Sequence, residues 1–418
     1  MQNTIFGKPE RIKTETLFSD SPNIDTFGNL RVSTPTAVFD NQMTYDLSPL
    51  VYEQITSGTG ATITHDATNR MAVMSFSSSP ILSKSYMQTY ETFRYQPFRS
   101  QEIALTFNFK EHTDGVYKWV GYSDGVNGFE FGSDGSNGFC LKILSGTSNG
   151  DQVVYQDDWN YDRFDSTGIS GLELDVASTN ILLISFQSLY VGKVTFSLYI
   201  NGKIHVLHNF YNANRIMYPY IQTANLPVSA GMITSGTATT QMFFICSAVV
   251  TRSGSDEIAG HPFEVTGAGT AGNGVYSHIL TVRPKLLFNN IVNRTQIKNL
   301  GLDLYIKGNS AIDYKLVIGQ ALVGTPTFTD VNTTYSAFEY VAGVSATLSG
   351  AYAISFDAGH VPASAQIKGS VSLSIDNKYP ITLNAAGQNR TMGQITLIAK
   401  GKTGSSDIDA TLTWKEIR

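Results

Sequence analysis

The strongest constraint in this sequence is a rhythm. Apolar and polar residues alternate over short stretches bounded by Gly, Asn, Asp and Pro, and sustained helical periodicity flanked by caps is missing. "KVTFSLYINGKIHVLHNF" (193–210) shows it most clearly. Two alternating runs are joined by Asn201-Gly202, the pair that most readily supplies the positive φ angles of a tight hairpin. "SDGVNGFEFGSDGSNGFCLKI" repeats Ser-Asp-Gly-x-Asn-Gly-Phe at 123 and at 133, two turn signals in tandem. The rhythm predicts an all-β protein.

At 418 residues the chain is long enough for two or three domains of ~100–200 residues each, and disulfides are unnecessary for stability at that size. Its two cysteines, Cys140 and Cys246, sit in apolar runs and read as buried, inert thiols that say little about compartment. The segmentation is an extended N-terminal arm (1–45), a β-sandwich (46–252), a linker (253–274) and a C-terminal β-sandwich (275–418), both sandwiches antiparallel and jelly-roll-like. The first could be concanavalin-like. The arm is polar, carries Pro9, Pro22 and Pro35, and has isolated phenylalanines at 6, 18, 27 and 39. It can lie across a neighbouring subunit or fold back on its own chain. "RSGSDEIAGHPFEVTGAGTAGNG" (252–274) reads as a boundary because Gly, Ser and acidic residues replace strand pattern.

Charged residues make up only 15% of the chain and the net charge is −5, so the basic footprint of a nucleic-acid binder is missing. The N-terminus lacks the layout of a secretory signal, and no apolar run approaches the ~20 residues of a membrane span. Ser, Thr, Asn, Gly and aromatics replace charge, with 21 Tyr and 23 Phe. That composition suits sheets with large protein contacts.

"VVYQDDWNYDRFDSTGISGLELDVAS" (153–178) raises an enzymatic alternative, since glycan-cleaving enzymes place paired carboxylates beside aromatic platforms. On a strand, Glu173 and Asp175 would share one face with Cα atoms ~6.5 Å apart. The stretch resembles part of the laminarinase and lichenase β-glucanases, whose strand carries Glu-x-Asp-x-x-Glu on a concanavalin-like jelly roll. There the resemblance implies a nucleophile at the first Glu and an acid/base at the last. Glu173 and Asp175 fill the first two positions, but the third is Ser178, which cannot protonate a leaving group. The plainer reading is a half-exposed strand with a solvated polar face. Under the alternative, Trp159, Glu173 and Asp175 form the glycan site.

Other chemistry is weaker. The tandem Asp and Asn residues lack calcium-loop spacing, His205 and His208 face opposite sides of a strand, and nucleophile-elbow and phosphate-loop motifs are missing. No catalytic residue, metal ligand or cofactor is assigned.

Five stretches, "DTFGNLRVSTPTAVFD", "YETFRYQPFRSQ", "QDDWNYDRFDSTGISGLELD", "NFYNANRIMYPYIQTANLPV" and "ATLTWKEIR", together resemble a widespread group of tailed-bacteriophage virion structural proteins. The resemblance spans nearly the whole chain. It implies a non-enzymatic capsid, vertex, tail or collar component, located in the virion after assembly in the host cytoplasm. It also implies a homo-oligomer whose partners are its own copies and other virion proteins, with no nucleic acid or membrane involved. Candidate assembly contacts are Phe27, Leu30 and Arg31 on the arm and Phe93, Arg94, Tyr95 and Phe98 in "FRYQPFRS", the latter group serving equally well as intradomain packing. The competing class is a carbohydrate-binding or glycan-cleaving receptor module built on the first sandwich.

Overall fold

The computed structural model describes residues 35–97, 99–187, 189–252, 260–343, 347–362, 369–372 and 380–417. Those residues form two β-sandwiches, antiparallel except where Gly272 and Asn273 pair in parallel with Lys400 and Gly401, with short 3-10 turns as their helical content.

The first sandwich uses β1 (Pro35–Gln42), β2 (Tyr52–Ser57), β3 (Ala61–Asp66), β4 (Met71–Ser79), β5 (Lys84–Thr89), β6 (Ser100–Asn108), β7 (Val116–Ser123), β8 (Gly128–Asp134), β9 (Phe139–Leu144), β10 (Gln152–Tyr155), β11 (Asn180–Phe186), β12 (Val194–Ile200), β13 (Lys203–Phe210), β14 (Val228–Thr234) and β15 (Ala238–Arg252). One sheet runs β13-β12-β11-β6-β15-β4-β3, with β1 beside β15, and the other runs β10-β9-β8-β7-β14-β5-β2. Alternation places one face of every strand between the sheets. Phe107 of β6 meets Phe131 of β8 at 5.5 Å between centroids, and Phe186 of β11 meets Phe129 at 4.8 Å. These cross-sheet rings explain the aromatic-rich composition: they fill the core.

The turn signals locate correctly. Asn201 and Gly202 both take positive φ between β12 and β13. In each Ser-Asp-Gly-x-Asn-Gly-Phe copy the motif's end opens a strand, β8 at Gly128 and β9 at Phe139. Of the expected arm, residues 35–42 pair with Cys246–Arg252 of the same chain, so this portion completes the first sheet. Phe27, Leu30 and Arg31 lie outside the described residues.

The second sandwich opens with β16 (His261–Asn273) and β17 (Ser277–Pro284). This corrects the linker expected over 253–274, because residues 261–271 pair with Ser406–Glu416, and Gly272 and Asn273 pair with Lys400 and Gly401. The glycines that suggested a loop serve close packing: a Cβ at Gly267 would lie 2.7 Å from the Ala342 Cβ. The strand's small inward residues hide its alternation. A separate core, including Leu302, Phe338, Leu397, Leu412 and Trp414, fills this domain.

The two domains are tied by polar contacts. Arg294 bridges Asp124 at 2.6 Å, the Ala385 amide donates to Glu53 Oε2 at 2.7 Å, Thr382 donates to the Tyr90 carbonyl at 3.0 Å, and Gln296 donates to the Thr92 carbonyl. The Arg390 guanidinium covers the Tyr90 ring at 3.7 Å. Glu91 lies in this junction, in a cleft that Arg94, Arg99, Gln296 and Lys298 also line. Burial pushes its carboxyl up to about 7, against the opposing pull of Lys298.

That shift has a definite sign. The folded value lies above the unfolded one of about 4.5, so the stability contributed by this group is fully present below pH 4.5 and lost as pH rises through about 7. Glu91→Gln is predicted to flatten the fall in stability across that window and to raise stability at about pH 8 by on the order of 2 kcal/mol. Urea unfolding of both proteins at a series of pH values checks this; parallel pH profiles would refute it.

Candidate functional site

The outer face of the β10-β9-β8-β7-β14-β5-β2 sheet gathers chemistry that the sequence reading did not assemble. Residues on β7 that point away from the core are Tyr117, Trp119, Gly121 and Ser123, since Val116, Val120 and Tyr122 point inward. Register then sets their neighbours. Gly132 of β8 and Gly231 of β14 flank Trp119, while Glu130 and Ser229 flank Gly121. One strand further out, Cys140 and Lys142 of β9 pair with Gly132 and Glu130, and Tyr86 and Gln88 of β5 pair with Gly231 and Ser229.

The glycines are what make this face. A Cβ at Gly132 would stand 2.5 Å from Cε2 of Tyr117, and one at Gly231 would stand 2.1 Å from the Cβ of Tyr86. The Tyr117 ring therefore lies over β8 instead of standing up from the sheet, while Gly231 lets the β14 backbone approach the base of Tyr86. Trp119 lies between them, its ring 5.8 Å from Tyr117 at an interplanar angle of 12° and 6.0 Å from Tyr86. All three rings keep part of their surface exposed. The result is a short aromatic row across three strands.

Beside the row sits a buried carboxylate. Glu130 accepts hydrogen bonds from Ser123 Oγ at 2.6 Å and Tyr117 Oη at 2.8 Å, and is 4% exposed. Burial pushes its carboxyl upward while those two hydrogen bonds oppose the rise. Lys142, opposite Glu130, holds its ammonium 3.4 Å from the Tyr117 ring centroid. Asp134, four residues along β8 on the same face, accepts from Tyr155 Oη at 2.7 Å. Cys140 is buried beneath, its thiol pushed up to about 12 chiefly by burial, as the inert reading of its apolar run requires.

The residues singled out from the sequence are placed otherwise. Trp159 is 4% exposed and packs against Phe131 at 6.2 Å, so its faces are inside the core and closed to a sugar. Glu173 and Asp175 border one open depression with His112 but are not on a strand. Glu173 makes a single bridge with Asp165 and takes a hydrogen bond from Ser166 Oγ at 3.2 Å. Asp175 turns the chain: it accepts from the Ala177 amide at 2.9 Å and Ser178 Oγ at 2.6 Å, which hold its carboxyl below the usual range. The strand expected over 172–178 fails because local aspartate-to-backbone bonds here outcompete extended pairing. Asp165 and Asp162 cap neighbouring amides in the same way. The acid-rich segment is a series of side-chain-capped turns.

Phe93 and Tyr95 are also interior. Phe93, 1% exposed, packs between Phe39 and Tyr122, and Tyr95 stacks on Phe186 at 5.7 Å. Arg94 is partly exposed at the domain junction, and Phe98 lies outside the described residues. The intradomain reading of "FRYQPFRS" is the one its two central rings follow.

No protein-family model matches the chain, and no curated protein matches it. Among solved structures, it is similar to a glycoside hydrolase family protein from Mycobacterium thermorestibile, at 12% identity and a TM-score of 0.36, covering 51% of this chain and 99% of that one. It is similar to a Mycobacterium tuberculosis protein described as an immunostimulatory antigen and pseudo beta-1,3-glucanase, at 9% identity and a TM-score of 0.35, covering 53% and 99%. A winged bean acidic lectin complexed with methyl-α-D-galactose aligns at 12% identity and a TM-score of 0.33, covering 53% and 100%. With Phe93 and Tyr95 sealed in the core, the expectation of a virion subunit assembling through those rings is corrected.

Proposed function

We propose that the first sandwich is a carbohydrate-binding module that holds a glycan on the outer face of its Tyr86-Trp119-Tyr117 sheet. The observation that carries this reading is the glycine-seated aromatic row with a carboxylate and an ammonium at its side. Pyranose rings present C–H faces that pack on aromatic faces, and hydroxyls that both donate and accept. Tyr86 and Trp119 supply the first contact, and Lys142, seated on the Tyr117 ring, supplies the second with the polar atoms around Glu130. Because the tyrosines are fixed across the sheet by the glycines beneath them, little conformational entropy is lost on binding.

Binding without cleavage is the version this geometry favours. Hydrolysis uses two carboxyl groups ~5–9.5 Å apart. Glu130 and Asp134 stand four residues apart on an extended strand, a Cα separation of ~13 Å. Asp134 is moreover engaged by Tyr155, and Glu130 by Ser123 and Tyr117.

Trp119→Ala is predicted to weaken binding of an uncharged polysaccharide that retards the protein in affinity electrophoresis by at least ~tenfold, near 1.4 kcal/mol. Asp175→Asn should leave that retention unchanged; loss in Asp175→Asn with retention intact in Trp119→Ala would place the site in the acidic turns instead. The platform itself is tested by Gly231→Val, whose side chain must displace Tyr86. It should destabilise the first domain by ~1–3 kcal/mol in urea unfolding and weaken glycan retention together, whereas full stability and full retention would refute the packing argument.

A further inference from the structure

The outer face of the second sandwich carries a patch with different chemistry. Three adjacent strands, Ile354–Val361, Ile312–Ile318 and Ile395–Gly401, bring His360, Asp313 and Lys400 into one cross-strand row. The Asp313 carboxylate is met by His360 Nδ1, by Lys402 Nζ at 3.1 Å and by Lys400 Nζ at 3.7 Å. Two residues further along its strand, and so on the same face, Lys315 donates its ammonium to Tyr352 Oη at 2.6 Å. That ammonium stands 5.0 Å from the Tyr352 ring centroid and 5.1 Å from that of Tyr276, while the Lys400 ammonium stands 5.0 Å from Tyr276. Tyr276 is therefore shared by two ammoniums no more than about 10 Å apart.

The charges in this cluster do not balance. Lys400 and Lys402 meet the Asp313 carboxylate, whereas Lys315, two residues along the same strand, contacts Tyr352 and no carboxylate among the described residues. In a chain of net charge −5 this is a locally basic surface. It is also ordered by its own contacts. Lys315 is held by a hydrogen bond and two ring faces, so its remaining donors are aimed before any ligand arrives. Ammonium groups act as point charges that accept anionic groups in varied orientations, and partly exposed tyrosines beside them offer faces for C–H surfaces.

We propose that this patch binds an acidic polysaccharide, with sulfate or carboxylate groups seated between Lys315 and Lys400 and sugar rings against Tyr276 and Tyr352. A nucleic acid fits less well. Its closely spaced phosphates require a longer basic track than three lysines, and the negative charge of the rest of the chain repels such a polymer. The site is separate from the Trp119 face, so either can fail without the other.

Affinity electrophoresis of the full chain in gels containing dextran sulfate, alginate, uncharged dextran or single-stranded DNA tests the proposal. Retardation is expected from at least one of the two acidic polysaccharides, weakening as salt rises, and not from uncharged dextran. Comparing the sulfated with the carboxylated polymer identifies the anionic group. The double variant Lys315→Gln/Lys400→Gln should lose at least ~tenfold of that retardation, whereas Trp119→Ala and Lys307→Gln, whose lysine pairs with Asp409 elsewhere, should retain it. The far-ultraviolet circular dichroism of the double variant should match that of the parent, as surface substitutions require. The proposal is overturned if neither acidic polymer retards the protein, if the double variant is retarded equally, or if single-stranded DNA is bound as strongly.

Discussion

The candidate site depends on a steric arrangement between neighbouring strands. Where Gly132 leaves the sheet without a side chain the Tyr117 ring occupies the space, Gly231 admits the base of Tyr86, and Trp119 lies between the two tyrosines. Any Cβ at either glycine enters the volume of a tyrosine. An aromatic residue on an ordinary outward strand position stands off the sheet and samples several rotamers; here the rings are constrained by van der Waals contact on the sheet side and by one another. Gly121 allows a close approach of the β8 backbone, since a Cβ there would stand 2.2 Å from the Phe129 carbonyl oxygen. A buried carboxylate on an outward-facing strand is costly unless its oxygens are bonded, and Ser123 and Tyr117 provide those bonds. One ring thus stacks on Trp119, hydrogen-bonds Glu130 and carries the Lys142 ammonium.

The two cores keep that face in place. The first sandwich is closed by ring contacts between its sheets, and the β1 strand extends the opposite sheet alongside β15. The second domain reaches the first through Arg294, Thr382 and Ala385, whose partners Asp124, Tyr90 and Glu53 lie at the ends of β7, β5 and β2. These are strands of the sheet that bears the aromatic row. The junction is polar and includes a partly exposed carboxylate, Glu91, whose burial raises its pKa. Such an interface holds orientation with directional bonds more than with apolar area.

Much of the architecture could be read from the residues. Asn201-Gly202 and the paired Ser-Asp-Gly-x-Asn-Gly-Phe turns supply positive φ angles that few other residues adopt, so hairpins were visible at those places. The extent of β16 was not visible, because Gly267, Gly269 and Ala271 satisfy a packing requirement from strands distant in sequence while resembling a loop in composition. For the site, the eye is drawn to the densest acid and aromatic cluster, at 155–178. Its aspartates spend their oxygens on nearby amides, and Trp159 turns into the core. A quieter signal lay in "VYKWVGYS" and "GFEFGSD", where Tyr, Trp and Glu alternate with inward apolar residues and glycines fall at outward positions. Which glycine lies beside which tyrosine is set by register, which one strand alone does not specify.

Hydrogen-deuterium exchange of the full chain with and without a saturating oligosaccharide, chosen from those a glycan array retains, tests the central claim most directly. Protection concentrated on β5, β7, β8 and β9, with the 165–178 turns unchanged, is the result predicted by a ligand lying over Trp119. Protection confined to the 165–178 turns, or an array that retains no glycan, would contradict it.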